Sequence, residues 1–374
     1  MKLAYFSLTP GGDRLCAAMA QHMPGMVVTR EVLLQEGCSF AQMTARMWPL
    51  YDGLVFVMAS GIVVRTIAPL LVSKTSDPAV VVMDARGQYA VSLLSGHLGG
   101  ANELAQALAK ICHGQAVITT GTDVEHTLAF DVFAKKNQLR IENIAVLKYI
   151  SAAMIEKAPA GLWCPWPADG IFPSNVQIQG NKNCASRDGG SETPGDMPWV
   201  FIGHDYDVPE ALKTMDRVLY LRPKNLYVGV GCKRGAAFEA MEAAFSDFLR
   251  ASQVNVQDVA GLCTIELKKD EPAIVSLAKK YCLELKIIDH EQIRALEAAG
   301  AVQVSEFVRS VTQVGSVCEA CALAAAQNAE KDPAQAPDLS MQKARKIRGK
   351  TIYPGMTFAL AEAPVFFQGL KEET

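Results

Sequence analysis

The chain has 374 residues, which at roughly 100–200 residues per domain indicates two or three domains. Half of the residues are hydrophobic and 20% are charged, as in globular proteins, so a mainly disordered chain is excluded. The 36 basic and 39 acidic residues give a net charge of −3, which offers no overall attraction for nucleic acid or for an anionic membrane. No apolar run reaches the ~18–20 residues that a membrane-spanning helix needs.

Neither the cysteines nor the first residues indicate export. Ten cysteines lie at irregular spacings, and the Cys318–Cys321 pair has no second pair at zinc spacing. Residues 1–10 form a short apolar run that soon reaches two glycines, which is typical of a strand entering a turn rather than of a signal peptide. We therefore expect no protein-bound metal and a location in the reducing cytoplasm.

The first third of the chain alternates strand and helix patterns. Strands are predicted at residues 2–8, 51–59, 79–83, 90–93 and 115–119, and helices at 15–23, 62–71 and 101–111. Continuous apolar runs such as 54–58 suit parallel strands that are covered on both faces. Residues 1–138 are thus predicted to form an N-terminal α/β domain with a mostly parallel sheet.

The middle of the chain differs, because prolines and glycines crowd residues 158–198. After a helical pattern at 144–156, short apolar pieces at 161–166, 176–179 and 199–202 indicate strands. We predict a small strand-and-loop middle domain over residues 139–222, with 189–196 as its most mobile loop.

A second α/β run follows. Strands are predicted at 226–230, 259–267 and 283–288, and helices at 236–249, 272–281, 291–299, 305–311 and 317–328. A proline-containing link at 330–338 leads to two antiparallel edge strands, near 339–347 and 356–361. The predicted fold is α/β: two α/β lobes with mainly parallel sheets, residues 1–138 and 223–374, flank the middle domain.

Residues 95–103 (SGHLGGANE) are the segment richest in chemistry. They link a strand to an amphipathic helix, and their glycines and helix-start amides favour the close approach of an anion. His97 titrates near neutral pH, and Glu103 lies on the flank of the helix. A glycine-rich turn with a capping histidine is the structural alternative, and the segment is not the G-x-G-x-x-G fingerprint of a dinucleotide site.

Two further junctions of the first lobe carry polar groups. Residues 60–65 follow a predicted strand, and ligands gather beyond the carboxyl ends of strands in open α/β sheets. Arg65 there is either a carboxylate-binding group or a surface arginine of the helix. Residues 119–123 (TTGTD) carry three hydroxyls and a carboxylate after the next strand, as part of a site or as an ordinary N-cap cluster.

The second lobe has one strong candidate for anion binding. Residues 229–235 (GVGCKRG) end a strand and open a helix, and Lys233 and Arg234 both suit carboxylate or phosphate. The segment lacks the G-K-[ST] ending of a P-loop, which argues against a nucleoside triphosphate. Glu271 or its neighbour Asp270 is predicted to cap the helix at residue 272, and Glu266 is a candidate base or ligand contact.

Together these segments resemble one family, the cobalt-precorrin-5A hydrolases of anaerobic cobalamin biosynthesis. The resemblance rests on residues 61–71 (GIVVRTIAPLL) with 77–82, on 92–105 (SLLSGHLGGANELA) with 118–120, and on 229–235 with 270–272 and 315–317. Their order matches the N-terminal, middle and C-terminal domains of the family over nearly the whole chain. The resemblance is weakest at about 140–216, and the tail from residue 330 departs from the family pattern.

The resemblance implies a reaction on a ring-contracted cobalt tetrapyrrole. Water opens the δ-lactone of cobalt-precorrin-5A, a two-carbon fragment leaves as acetaldehyde, and cobalt-precorrin-5B is formed. The cobalt is carried by the substrate, so we expect neither a cofactor nor a metal held by the protein. A flat macrocycle also suggests a cleft between the two α/β lobes.

The candidate residues fit that chemistry as a hypothesis. His97 would be the general base, the amides of Gly99 and Gly100 the oxyanion donors, and Glu103 or Asp123 the group that orients the histidine or handles a second proton. The macrocycle and its carboxylates are expected to meet Gly61, Arg65, Ser95, Gly96, Gly99, Gly100, Asn102, Thr120, Gly231, Lys233, Arg234, Glu266 and Glu271.

Two other functions remain open at this point. One is a non-catalytic tetrapyrrole carrier that protects an intermediate of the same pathway. The other is a nucleotide- or sugar-phosphate-binding protein, which the missing phosphate-binding fingerprints disfavour. In each case the partner is a small molecule, with no nucleic acid and no membrane. A homodimer and transient contacts with other enzymes of the cobalamin pathway are compatible with the sequence.

Overall fold

The computed structural model describes residues 1–73, 76–125, 127–167, 172–180, 197–329 and 343–367. Its strands are β1 (Leu3–Ser7), β2 (Gly25–Val28), β3 (Gly53–Val57), β4 (Ala79–Met83), β5 (Tyr89–Leu94), β6 (Gln115–Val117), β7 (Arg140–Ile141), β8 (Ala160–Trp163), β9 (Val176–Gln179), β10 (Trp199–Ile202), β11 (Val218–Arg222), β12 (Leu226–Cys232), β13 (Val259–Ile265), β14 (Glu284–Ile288), β15 (Arg345–Tyr353) and β16 (Met356–Glu362). Its α-helices are α1 (Pro10–His22), α2 (Arg30–Gln35), α3 (Phe40–Met47), α4 (Ser60–Ile67), α5 (Ala101–Cys112), α6 (Gly121–Val124), α7 (Phe130–Lys136), α8 (Leu147–Ile155), α9 (Glu210–Lys213), α10 (Phe238–Ala251), α11 (Pro272–Lys280), α12 (His290–Ala298), α13 (Glu306–Thr312) and α14 (Cys318–Gln327).

The chain forms two compact units. The first contains residues 1–135 and 154–156, and the second contains residues 136–153 and 157–374. The strands of the three sheets come from residues 3–117, 140–222 and 226–362, which confirms the mixed α/β class. The predicted domain borders at 138/139 and 222/223 stay predictions. Among the described helices, none combines the length and the apolar composition needed to cross a membrane.

The first sheet has the order β2-β1-β3-β4-β5-β6, in which the first four strands are parallel. Strand β5 is antiparallel to β4, and β6 follows the direction of β5. The reason is the short link 84–88, because a parallel crossover needs about a dozen residues or more. Asp84 closes this hairpin by accepting the amides of Arg86 and Tyr89 at 2.8 and 2.7 Å. As a result, the carboxyl ends of β5 and β6 lie at the same end of the sheet as the amino ends of β1, β3 and β4.

Both faces of this sheet are covered, as its continuous apolar strands predict. On one face Tyr5 and Val55 pack with Met19 of α1 and Leu108 of α5. The other face packs against residues of α3 and α4, and there the rings of Phe6 and Phe56 stack at 4.8 Å. The two covered faces fix the strands, so the loops at their ends hold defined positions.

The second sheet has the order β7-β11-β10-β8-β9 and contains the short strands that were predicted at 161–166, 176–179 and 199–202. Strands β7 and β11 and the helical turn α9 were not predicted. Strand β7 is antiparallel to β11 and has only two residues, and a strand of that length is too short for a hydrophobic pattern to reveal. The predicted mobile loop at 189–196 lies outside the described residues.

The third sheet has the order β14-β13-β12-β16-β15, with β12, β13 and β14 parallel. The antiparallel tail strands are confirmed, but the placement of both at an edge is wrong, since β16 lies between β12 and β15. Phe358 and Leu360 explain this, because both are fully buried. Strand β15 is the true edge, and its sequence RKIRGKTIY carries the charges that protect an edge from pairing. It begins at Arg345, whereas residues 339–342 of the prediction lie outside the described part.

Candidate active site

The loop that carries His97 is closed by its own hydrogen bonds. The Ser95 hydroxyl donates to the Asp77 carbonyl at 3.0 Å, which ties the loop to the start of β4. The amides of residues 100, 101 and 102 donate to the carbonyls of residues 97, 95 and 96 at 3.0 to 3.1 Å. The expectation of free amides is therefore wrong for Gly100 and for the first two residues of α5, and the oxyanion role of Gly99 stays a prediction. Gly99 is required for packing, because a Cβ there would overlap the Ser95 side chain.

His97 lies between two carboxylates. Its Nε2 is 2.6 Å from Asp123 Oδ2, on the turn after β6, and its Nδ1 is 3.2 Å from Asp131, in the first turn of α7. The imidazole and the Asp131 side chain are 11% and 10% exposed, whereas the Asp123 side chain is 40% exposed. One carboxylate is thus enclosed by the protein and the other reaches solvent.

This arrangement sets the charge of the ring. Burial lowers the pKa of His97, but the hydrogen bonds and charges of Asp131 and then Asp123 outweigh burial, so that the pKa lies above its usual value. Burial also acts to raise the pKa of Asp131, and the bond to His97 more than compensates, which leaves that pKa below its usual range. Each ring nitrogen faces a carboxylate acceptor, so the arrangement favours the protonated ring, in which both N–H groups donate.

The amide side chain of Asn102 links the residues that follow β6 to strand β5. Asn102 Nδ2 donates to Asp123 Oδ2 at 3.0 Å and to the Thr120 hydroxyl at 3.1 Å, while its Oδ1 accepts the Ser92 hydroxyl at 2.7 Å. Gly96 leaves room for this amide, because a Cβ at Gly96 would lie 2.7 Å from Asn102 Oδ1. Thr120 occupies the N-cap of α6 without a side-chain cap bond, so its hydroxyl serves the site and not the helix end.

Glu103 does not orient the imidazole. Its side chain is 69% exposed, and it pairs with Lys135 Nζ at 3.8 Å. The carboxylates that contact the imidazole are those of Asp123 and Asp131. The other role considered for Glu103, a second proton transfer, stays a prediction.

Gly61 and Arg65 lie at the opposite end of the strands of the first sheet from His97. They follow the carboxyl end of β3, whereas His97 follows β5, which runs in the opposite direction. The two ends of the sheet are separated by at least the length of β3, whose five residues span about 13 Å. Arg65 Nη1 donates to the Gly61 carbonyl of its own helix at 2.9 Å. The sheet therefore does not bring these two residues together with His97.

The second lobe does gather its predicted residues at one end of its sheet, where parallel strands end. Gly231, Lys233 and Arg234 end or follow β12, and Glu266 and Glu271 follow its parallel neighbour β13. Both cations are exposed, and the Glu266 side chain, 64% exposed, pairs with a neighbouring lysine.

Glu271 is buried and acts differently from the prediction. It occupies the cap position of α11, but its side chain makes no cap bond. Instead Oε1 accepts the amide of Gly235 at 2.7 Å, and Oε2 lies 3.5 Å from the buried Lys268 Nζ. Glu271 thus anchors the turn that presents Lys233 and Arg234.

Sequence reasoning missed Asp131 and Lys268. Asp131 is the one charged residue within the apolar stretch 128–134 (LAFDVFA), and it is 7% exposed. A charge in such a stretch must find a buried partner, which is the signal that could have identified it. Lys268 lies in a run of charges, 268–271, that offers no comparable signal. Within the described ranges no cluster of His, Cys, Asp and Glu is arranged to hold a metal ion, and the absence of a resident metal stays a prediction.

The structure defines an α/β protein in which His97, Asp123 and Asp131 form a cluster of titratable side chains, and comparison with known proteins identifies its family. Family descriptions match in three parts: Cobalamin synthesis G N-terminal over residues 42–123, Cobalamin biosynthesis central region over 128–188 and Cobalamin synthesis G C-terminus over 226–361. The chain belongs to the cobalamin synthesis G family.

Relatives of the chain carry a more specific name. It is 32% identical to the cobalt-precorrin-5A hydrolase of Salmonella typhimurium, over 84% of this chain and 89% of that protein. It is 33% identical to the cobalt-precorrin-5A hydrolase of Priestia megaterium, over 73% of this chain and 72% of that protein. The crystal structure of cobalamin biosynthesis protein chiG from Agrobacterium tumefaciens is 30% identical, covers 37% of this chain and 98% of its own, and has a TM-score of 0.26.

Proposed function

We propose that this chain is a cobalt-precorrin-5A hydrolase, which opens the δ-lactone of its substrate with water and releases acetaldehyde to give cobalt-precorrin-5B. The relatives of that name, which align with most of the chain, support this substrate. The observation that carries the proposal is the imidazole of His97, held at 2.6 Å from a partly exposed carboxylate and at 3.2 Å from a buried one. Such a group can give and take protons at a bound lactone.

Lactone opening needs an activated water and a proton for the oxygen that leaves. The two carboxylates favour the protonated ring and raise the pKa of His97, so we assign His97 to the donor role and not to the predicted base role. Asp123 is the base in this scheme: its Oδ2 accepts from His97 and Asn102, and its side chain reaches solvent. Water loses its proton to Asp123 as it adds to the carbonyl, and His97 protonates the departing alkoxide.

The second bond to break is a carbon–carbon bond. Ring opening leaves a hydroxyl on the two-carbon arm, and its deprotonation by the histidine, now neutral, lets the arm leave as acetaldehyde. The electron pair stays on the macrocycle carbon, which takes the proton that Asp123 removed from water, so that His97 and Asp123 return to their starting states and atoms and charge balance. The cobalt belongs to the substrate, and the scheme uses no cofactor. Lys233 and Arg234, both exposed, are suited to bind carboxylates of the tetrapyrrole.

The direct test is anaerobic incubation with cobalt-precorrin-5A, followed by trapping of acetaldehyde and mass detection of the two-carbon loss. His97→Ala and His97→Gln should lower turnover by about 10²–10⁴-fold, the usual contribution of a positioned acid or base. His22→Gln, at the exposed end of α1, is the matched control and should retain activity. Turnover of the His97 variants within a few-fold of wild type would remove His97 from the reaction. Binding without acetaldehyde would favour the carrier function instead.

The setting of the enzyme is a further part of the proposal. We place it in the cytoplasm, acting on a free small-molecule substrate, in keeping with the biosynthetic relatives. A homodimer and transient contacts with other enzymes of the pathway stay predictions. Analytical ultracentrifugation, alone and with a purified pathway enzyme, tests both.

A further inference from the structure

Helix α7 holds the His97 loop with two side chains that lie one turn apart. Asp131 accepts from the imidazole Nδ1 at 3.2 Å, and Lys135 Nζ lies 3.5 Å from the His97 carbonyl oxygen. Residues four apart share one face of a helix, so a single face contacts both the side chain and the backbone of His97. The helix itself is fixed by Phe130 and Phe133, which are almost fully buried.

The two carboxylates beside His97 have different surroundings. The Asp131 side chain is enclosed, and its Oδ1 also accepts the amide of Val132 at 3.0 Å. The Asp123 side chain is four times as exposed, 40% against 10%. Only the exposed carboxylate can exchange its histidine for water or for substrate, so the enclosed one acts through the ring.

We propose that Asp131 is a positioning residue, which fixes the ring of His97 and keeps the proton on Nδ1 so that Nε2 is the atom that exchanges protons. This inference rests on the proposed role of His97. The buried partner of Nδ1 cannot be replaced by water, whereas the partner of Nε2 can, and the second proton of the imidazolium therefore leaves from Nε2. The carboxylate also favours the charged form of the ring, in line with the raised pKa of His97.

The variant that isolates this role is Asp131→Asn, which keeps the shape of the side chain and removes its charge. We expect kcat to fall by about 10- to 100-fold, the range seen when a histidine loses its outer-shell carboxylate at a metal site, with KM changed by no more than about two- to three-fold. Because His97 must be protonated to donate, activity declines as the pH rises through its pKa. In Asp131→Asn this decline should move to lower pH, since one of the two charges that raise the pKa is gone.

The matched control is Asp77→Asn. Asp77 is buried to nearly the same degree, 8% against 7%, and its side chain accepts the amide of Val72 rather than the imidazole. Both variants lose a buried charge, so both should lose stability. Only Asp131→Asn should shift the pH profile, and an equal shift in both variants would overturn the proposal.

Nitrogen-15 NMR of the imidazole gives a readout that does not depend on activity. The His97 signals, identified by their loss in His97→Gln, should show a neutral ring that keeps its proton on Nδ1. A neutral ring protonated on Nε2 would overturn the proposal, as would an Asp131→Asn protein with wild-type kcat and pH profile. If the wild type releases no acetaldehyde, the proposed function fails, and the NMR titration still decides whether Asp131 governs His97.

Discussion

Glu271 allows a sharp test of how a buried charge pair stabilises the second lobe. Its carboxylate is buried between the amide of Gly235, at 2.7 Å, and the ammonium of Lys268, at 3.5 Å. Glu271→Gln keeps the volume and leaves an oxygen that can still accept the Gly235 amide. The change therefore removes the charge that faces Lys268 and little else.

The size of the effect follows from burial. Both side chains of the pair are at most 10% exposed, so Lys268 would be left as a buried charge without a counter-charge. Breaking a buried pair in this way typically costs about 3–5 kcal/mol, and the 3.5 Å separation places Glu271→Gln near the lower end. For a domain of about 150–250 residues, each kcal/mol lowers the melting temperature by roughly 2–4 °C. We expect a loss of about 6–12 °C for the second unit.

Glu266→Gln is the matched control, because Glu266 is 64% exposed and pairs with a lysine in the same run of charges. An exposed pair of this kind contributes almost nothing to stability, so its melting temperature should stay at the wild-type value. Scanning calorimetry of wild type and both variants measures the difference. Equal melting temperatures for the two variants would refute the assignment of Glu271 as the buried counter-charge of Lys268.

Further predictions concern packing, topology and acid stability. Gly229→Ala should leave the protein insoluble or strongly destabilised in urea unfolding, because a Cβ there would overlap the Cys318 carbonyl oxygen; wild-type stability would contradict the packing of α14 on β12. Arg65→Ala should leave the NMR titration of His97 unchanged, since the two residues lie at opposite ends of the strands of the first sheet; a shifted titration would contradict that separation. Burial acts to raise the pKa of Asp258, but His204, 3.7 Å away, and the hydrogen-bonded Arg140 outweigh burial and lower it, so Asp258 stabilises the fold above its unfolded pKa and loses this effect as the pH falls. The stability gap between wild type and Asp258→Asn should therefore shrink between about pH 5 and pH 3 in urea unfolding, and a gap independent of pH would contradict it.

Strand and helix positions were mostly predictable because continuous apolar strands and amphipathic helices have clear periods. The direction of β5 was not predicted, although the signal was present. Only five residues separate Met83 from Tyr89, and such a link permits a hairpin but not a crossover. Because β5 and β6 run in the reversed direction, His97 and Asp123 meet at one end of the sheet and Arg65 lies at the opposite end. A prediction that places ligands at the carboxyl ends of strands must first settle the direction of each strand.

The glycines of the His97 loop show a second limit of sequence reasoning. A glycine-rich segment before a helix predicts backbone amides that are open to a ligand. Here Gly96 makes space for the Asn102 amide, and Gly99 lets the loop fold back on Ser95. The same glycines that suggested an anion site therefore build a side-chain site, in which Asn102 donates to the Asp123 carboxylate that contacts the imidazole. Pattern alone cannot separate these two uses, because both require a position without a Cβ, and only the contacts that a Cβ would make distinguish them.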